Sequence, residues 1–171
     1  MFWFHGFGFG ILGLWFQVNF GRVFGIFRRF RHLRNSLKEG EQVGRIEKFE
    51  DIEAWKLMRE LTKEIYTITQ AGDFAKDYGL RDQIRRAAVS VMSNIAEGYE
   101  RNGNREFLQF LSQAKGSIGE IKTHLYVALD VGFISNADFE RLFNDATKVG
   151  QLIGGLMKYL MESEFKGSKY K

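Results

Sequence analysis

From Glu50 onward, apolar residues return every three or four positions, the spacing of one face of an α-helix. Ile52, Trp55, Met58, Leu61, Ile65 and Ile68 form a first stripe, which Gly72-Asp73 and Asp77-Tyr78-Gly79 interrupt. A second segment is predicted over about residues 80–101, with Leu80, Ile84, Ala87, Val91 and Ile95 on one face. Gly98 stands near its end, and Asn102-Gly103-Asn104 has the composition of a tight turn. The third segment is predicted to start at Asn104, a residue type suited to an N-cap, with Glu106 in the first turn. Its stripe is Phe107, Leu111, Ala114, Ile118, Ile121, Leu125 and Ala128, and Gly132 closes it. Ser135, with Asp138 three residues on, resembles a capping box carrying Asp in place of Glu. The fourth stripe reads Phe139, Leu142 or Phe143, Ala146, Val149, Ile153, Leu156 and Leu160, close to a heptad.

Four such helices joined by short connections predict an all-α fold, an antiparallel up-down-up-down four-helix bundle over residues 49–162. Composition supports that prediction. The 171-residue chain is about one domain in length, is 44% hydrophobic and contains no proline to break a helix. It has no cysteine, which excludes disulfides and thiolate metal sites and fits a reducing compartment. A polar tail follows over residues 163–171.

Charge changes the picture only once it is located. The formal net charge is +4, but residues 1–48 hold eight Lys/Arg against three Asp/Glu. Residues 49–171 hold seventeen against eighteen, so the bundle is close to neutral. A global electrostatic case for nucleic acid therefore fails. Residues 1–48 also carry nine of the seventeen Phe and eight of the nineteen Gly, with no sustained helical or strand period.

That leader has three competing readings. A secretory signal does not fit, because the charges follow the apolar run instead of preceding it. Residues 2–20 approach the length of a membrane anchor, and the trailing arginines would hold the C-terminal side in the cytoplasm, as in an inner-membrane-associated protein. His5, Gln17, Asn19 and the glycines at 6, 8, 10 and 13 weaken such a span. Alternatively the segment is misannotated upstream translation: Lys38-Glu39-Gly40 can be spelled by codons containing a bacterial ribosome-binding sequence, with Val43 as a GTG start. An ordered extension is the third reading.

The turn at Gly103 sets a register in which residues of helices two and three face each other when their numbers sum to about 206. It pairs Arg86 with Glu120, Ser90 with Gly116, Asn94 with Ser112 and Glu97 with Gln109. Arg86, Ser90, Asn94 and Glu97 share one helix face. Small residues around them (Ala87, Ala88, Ser93 and Ala96 opposite Gly116, Ser117 and Gly119) would let the helices approach closely. One reading is a buried polar seam that fixes register; the other is a binding groove using Arg86 and Glu120.

The segments Gln83-Ile-Arg-Arg-Ala-Ala-Val-Ser-Val-Met-Ser-Asn-Ile-Ala-Glu-Gly98, Glu106-Phe-Leu-Gln-Phe-Leu and Ala114-Lys-Gly-Ser-Ile-Gly-Glu120 closely resemble the 23S ribosomal RNA intervening-sequence proteins, a four-helix-bundle family. Phe49-Glu-Asp-Ile-Glu-Ala-Trp55 and Ile65-Tyr66 look like that family's first helix. The resemblance covers residues 49–160 and leaves residues 1–48 outside. It implies a bacterial cytoplasmic protein that assembles as a homopentamer. A related branch, the accessory proteins of diversity-generating retroelements, binds a reverse transcriptase and nucleic acid. The family name records where such genes were found and is not an activity.

Candidate chemistry is sparse. His5 and His32 lie in the leader, and His124 stands on helix three with Glu120 one turn before it. Two ligands without a third do not predict a metal site. There is no cysteine nucleophile, no glycine-rich phosphate loop before a helix and no serine with an evident base, so neither an enzyme nor a cofactor is predicted. By the same register Arg81, Arg85 and Lys122 are candidates for one basic cluster, with Arg101 and Arg105 at the opposite end. These contact phosphates or simply solubilise the surface, and interleaved aromatics for base stacking are not evident beside them. Phe107, Phe110, Phe133, Phe139 and Phe143 are a heavy aromatic load, shared between a core and a subunit interface. Three functions follow as expectations: a non-enzymatic oligomeric adaptor for a protein or RNA partner, an RNA-binding or RNA-processing factor, and a membrane-tethered bundle.

Overall fold

The computed structural model describes residues 46–162. The leader up to residue 45, with its candidate anchor, His5 and His32, and the tail from residue 163 lie outside the described residues. Four α-helices make up the fold: α1 (Glu53–Ile68), α2 (Tyr78–Glu100), α3 (Asn104–Asp130) and α4 (Asn136–Glu162). Short 3-10 turns at Phe49–Asp51 and Phe74–Lys76 precede α1 and α2. Among the described residues there is no strand, and no helix is long and apolar enough to cross a membrane.

Local chemistry sets the ends. Asp77 caps α2 by accepting from the Leu80 amide at 2.9 Å, so this helix starts two residues earlier than the apolar stripe predicts. Asn102 adopts φ 55°, reversing the chain after α2. The cap position of α3 falls on Gly103, not Asn104, and the Gly103 carbonyl accepts the first helical bond from Phe107 at 2.8 Å. Gly132, at φ 76°, ends α3 in a Schellman arrangement: the Phe133 amide donates to Ala128 O at 2.8 Å. Ser135 Oγ accepts from the Asp138 amide at 3.1 Å and itself donates to the Asp138 carboxylate at 2.7 Å. That is half of the expected capping box, with the acidic side chain bound to the serine hydroxyl.

Contacts between helices run antiparallel. Thr62 of α1 meets Met92 of α2, while Thr69 meets Arg85. Ser90 of α2 meets Ser117 of α3, and Tyr126 of α3 packs on Phe139 and Phe143 of α4. Arg141 of α4 pairs with Glu64 of α1, joining the first helix to the last. Phe74 and Phe133, from the first and third connections, stack at 5.3 Å, so those two loops share one end of the bundle. At the other end Tyr99 Oη donates to Ile46 O at 2.9 Å.

The core is built from the four stripes. Met58, Leu61, Ile65, Ile84, Val91, Ile95, Leu111, Ile121, Leu125, Leu142 and Ile153 are shut off from solvent. Leu142, not Phe143, takes the core position in α4. Phe74, from a turn without helical period, is also fully buried and plugs the loop end.

Gly98 sets how closely α2 approaches α3. A Cβ there would lie 2.7 Å from Phe110 Cβ and 2.8 Å from Phe107 Cδ2, closer than real contacts allow. Gly98→Ala is therefore expected to destabilise by about 1–3 kcal/mol, overcoming alanine's better helix propensity of about 1 kcal/mol. Urea denaturation checks this as a lower midpoint at unchanged slope.

Candidate functional site

The α2–α3 pair carries most of the residues that the sequence marks as distinctive, and their placement departs from a buried seam. Ser90 Oγ lies 3.0 Å from Ser117 Oγ. Asn94 Nδ2 donates back to Ser90 O at 2.8 Å and to Ser90 Oγ at 3.1 Å. The register is thus one residue off the expected value, with Ser117 in place of Gly116. The physical reason is helical phase: Ser117 lies on the line of Ala114 and Ile121 that turns inward, whereas Gly116 is exposed.

The remaining seam positions need correction. Arg86, Glu97, Ser112 and Glu120 are exposed on this chain. Glu97 pairs with Arg101 at 2.6 Å, one turn along its own helix. Among the described residues no Arg86–Glu120 ion pair forms. The polar seam therefore contracts to Ser90, Asn94 and the buried Ser117, each satisfied by hydrogen bonds.

Outside that short seam, α2 and α3 present an open face. Arg86, Val89, Ser93 and Glu97 on α2 lie beside Ser112, Gly116, Gly119, Glu120 and Thr123 on α3, all exposed. Val89 is 44% exposed. No atom lies within 4 Å of where a Cβ would stand at Gly116 or Gly119, so neither glycine makes room for a neighbour within this chain.

The expected basic cluster divides. Lys122 lies over the Phe143 ring at 4.9 Å, which turns it toward α4. Arg85 turns toward α1: its Nε donates to Thr69 Oγ1 at 2.8 Å and its guanidinium covers the Tyr66 ring at 4.7 Å. Thr69 is fully buried and passes its own hydroxyl proton to Ile65 O at 2.7 Å, so Arg85 is anchored at the C-terminal end of α1. Arg81 Nη1 donates to Ala75 O at 3.0 Å, its Nε pairs with Asp82 at 3.0 Å, and it stacks on Tyr78 at 4.6 Å. Arg101 covers Phe110 at 5.2 Å, and Arg105 is exposed at the same end.

Tyr66 and Tyr78 are aromatic neighbours that the sequence did not reveal beside Arg85 and Arg81. Tyr66 lies nineteen positions before its arginine, and only the antiparallel pairing of α1 with α2 joins them. Tyr66, Asp82, Arg85, Arg86, Val89 and Ser90 line an open groove of about 630 Å³. No group of three or more metal-ligating side chains occurs among the described residues.

A small all-helical bundle with an open α2–α3 face defines a structural class, and the comparisons place it. Residues 50–155 match the family described as 23S rRNA-intervening sequence protein, and the chain belongs to that family. A solved structure of similar fold is a protein with unknown function from the S23 ribosomal protein family of Bacteroides thetaiotaomicron. It is 21% identical, with a TM-score of 0.58 over 61% of this chain and 95% of that one. No curated protein matches the chain.

His124 is half-buried on α3, and burial pushes its pKa below the usual 6.5 while Glu120 pulls weakly the other way. A base held below its unfolded pKa leaves the unfolded state binding more protons in that window. Its contribution is complete above about pH 6.5 and is lost as pH falls toward the lower folded value. His124→Gln is expected to narrow the gap in melting temperature between about pH 7.5 and about pH 5.5, measured by circular dichroism.

Proposed function

We propose that this chain is a non-catalytic, self-assembling helical adaptor. Copies associate through the outer face of α2 and α3, and the assembly presents its remaining helix surfaces to a protein or RNA partner. The observation that carries this reading is the pair Gly116 and Gly119 in mid-helix with open space above them. Each glycine costs a helix about 1 kcal/mol relative to alanine. A cost without return inside the chain is accounted for when a second helix packs against that face, because small residues permit close approach.

Charge supports a second copy as the occupant. Arg86 and Glu120 are both exposed on this face, so it carries a cation on α2 and an anion on α3 that another copy can complement. The resemblance adds a stoichiometry of five. RNA contact through Arg81, Arg85 and Lys122 acting together has less support, since Lys122 and Arg85 turn to different helix pairs. A membrane tether would rest on residues 2–20, outside the described residues.

Light scattering on the purified chain at micromolar concentration tests the proposal. The expected mass is a multiple of 19.8 kDa, and a monomer would contradict it. Gly116→Arg combined with Gly119→Arg meets no atom within the chain and improves helix propensity. The double variant is expected to stay helical and to become monomeric.

A further inference from the structure

The groove beside α1 is a different feature from the glycine-bearing face. Three of its properties point to a ligand. First, its positive charge is held in place. Arg85 is fixed at Nε by the buried Thr69 hydroxyl and along its plane by Tyr66, which leaves its two terminal amino groups unassigned. Arg86, the next residue, lines the same groove and pairs with no carboxylate among the described residues. Two guanidinium groups meeting at one groove repel each other and lack a counter-charge between them.

Second, the one carboxylate in the groove is already matched. Asp82 pairs with Arg81 Nε at 3.0 Å, and Arg81 is tied in turn to Ala75 O. The paired carboxylate keeps lone pairs for hydroxyl donors without cancelling the charge of Arg85 and Arg86. Third, Val89 and Tyr66 add apolar surface, and about 630 Å³ lies within the range of small-molecule sites. A carboxylate ligand occupies one guanidinium fork, whereas a phosphate offers enough oxygens for two.

We propose that this groove binds the phosphate monoester of a hydroxyl-bearing small molecule of about nucleotide size. Arg85 and Arg86 hold the phosphate, Asp82 accepts from sugar hydroxyls, and Val89 with Tyr66 forms the apolar wall. The site is independent of whether copies associate through Gly116 and Gly119.

Calorimetric titration of the full chain at low salt tests it, with AMP, inorganic phosphate and adenosine as probes. AMP is expected to bind, inorganic phosphate to bind more weakly, and adenosine not to bind measurably. Arg86→Gln removes an exposed side chain, leaves the melting temperature unchanged and weakens AMP by about tenfold, as loss of a charge-assisted contact does. Asp82→Asn strengthens inorganic phosphate, by deleting a negative charge, and reduces the preference for AMP over phosphate. Lys158→Gln, an exposed lysine on α4, changes none of these values. Failure of AMP and phosphate to bind at millimolar concentration overturns the proposal. So does unchanged AMP affinity in Arg86→Gln, or binding confined to long RNA.

Discussion

The close approach of α2 and α3 at Gly98 is the constraint on which the rest of the bundle depends. Asn102, in the left-handed region, reverses the chain within three residues, so the two helices begin their contact almost at the turn. Phe107 and Phe110 then fill the space that Gly98 leaves empty. With the two backbones brought together there, helical phase carries Ser90 to Ser117 two to three turns away. Ile95, Val91 and Ile84 on one helix, with Leu111, Ile118 and Ile121 on the other, are thereby committed to one core. The first and fourth helices close over this pair, tied to each other by Arg141 and Glu64.

The same phase divides α2 and α3 into three functional surfaces. The inward lines are apolar and fully buried. The flank toward α1 gathers Arg81, Arg85 and their tyrosines, because the end of α1 supplies Thr69 and Tyr66 where those arginines emerge. The outer line carries glycine, serine and unpaired charge. Solvent alone gives glycine no advantage over alanine in the middle of a helix, and this links the packing of one chain to the assembly of several. Membership of the 23S rRNA-intervening sequence protein family places the fold and leaves those surfaces to be explained by chemistry.

Much of the fold was legible because a 3.6-residue period is written in every stripe. All seven positions named for α3, from Phe107 to Ala128, are buried. Features that depend on non-helical chain or on distant neighbours were not legible. Phe74 has no periodic context, yet it stacks on Phe133 across two loops. Register was legible to within one residue, and that single residue decides which side chains turn inward. Arg86 and Glu120 were expected inside the seam, but each falls on an exposed line of its helix. Lys122 was grouped with Arg85 from sequence sums, whereas Phe143 draws it to the other flank. Alternation of charge and aromatic residues near Arg81 and Arg85 exists only in three dimensions.

Native-state hydrogen exchange measures the central claim most directly, since it ranks the helices by the free energy needed to open them. If α2 and α3 form the organising pair, the slowest amides are those of Val91, Ile95, Leu111 and Ile118, and they exchange only through global unfolding. Slowest exchange in α1 or α4, with the α2–α3 amides released earlier, would contradict the account.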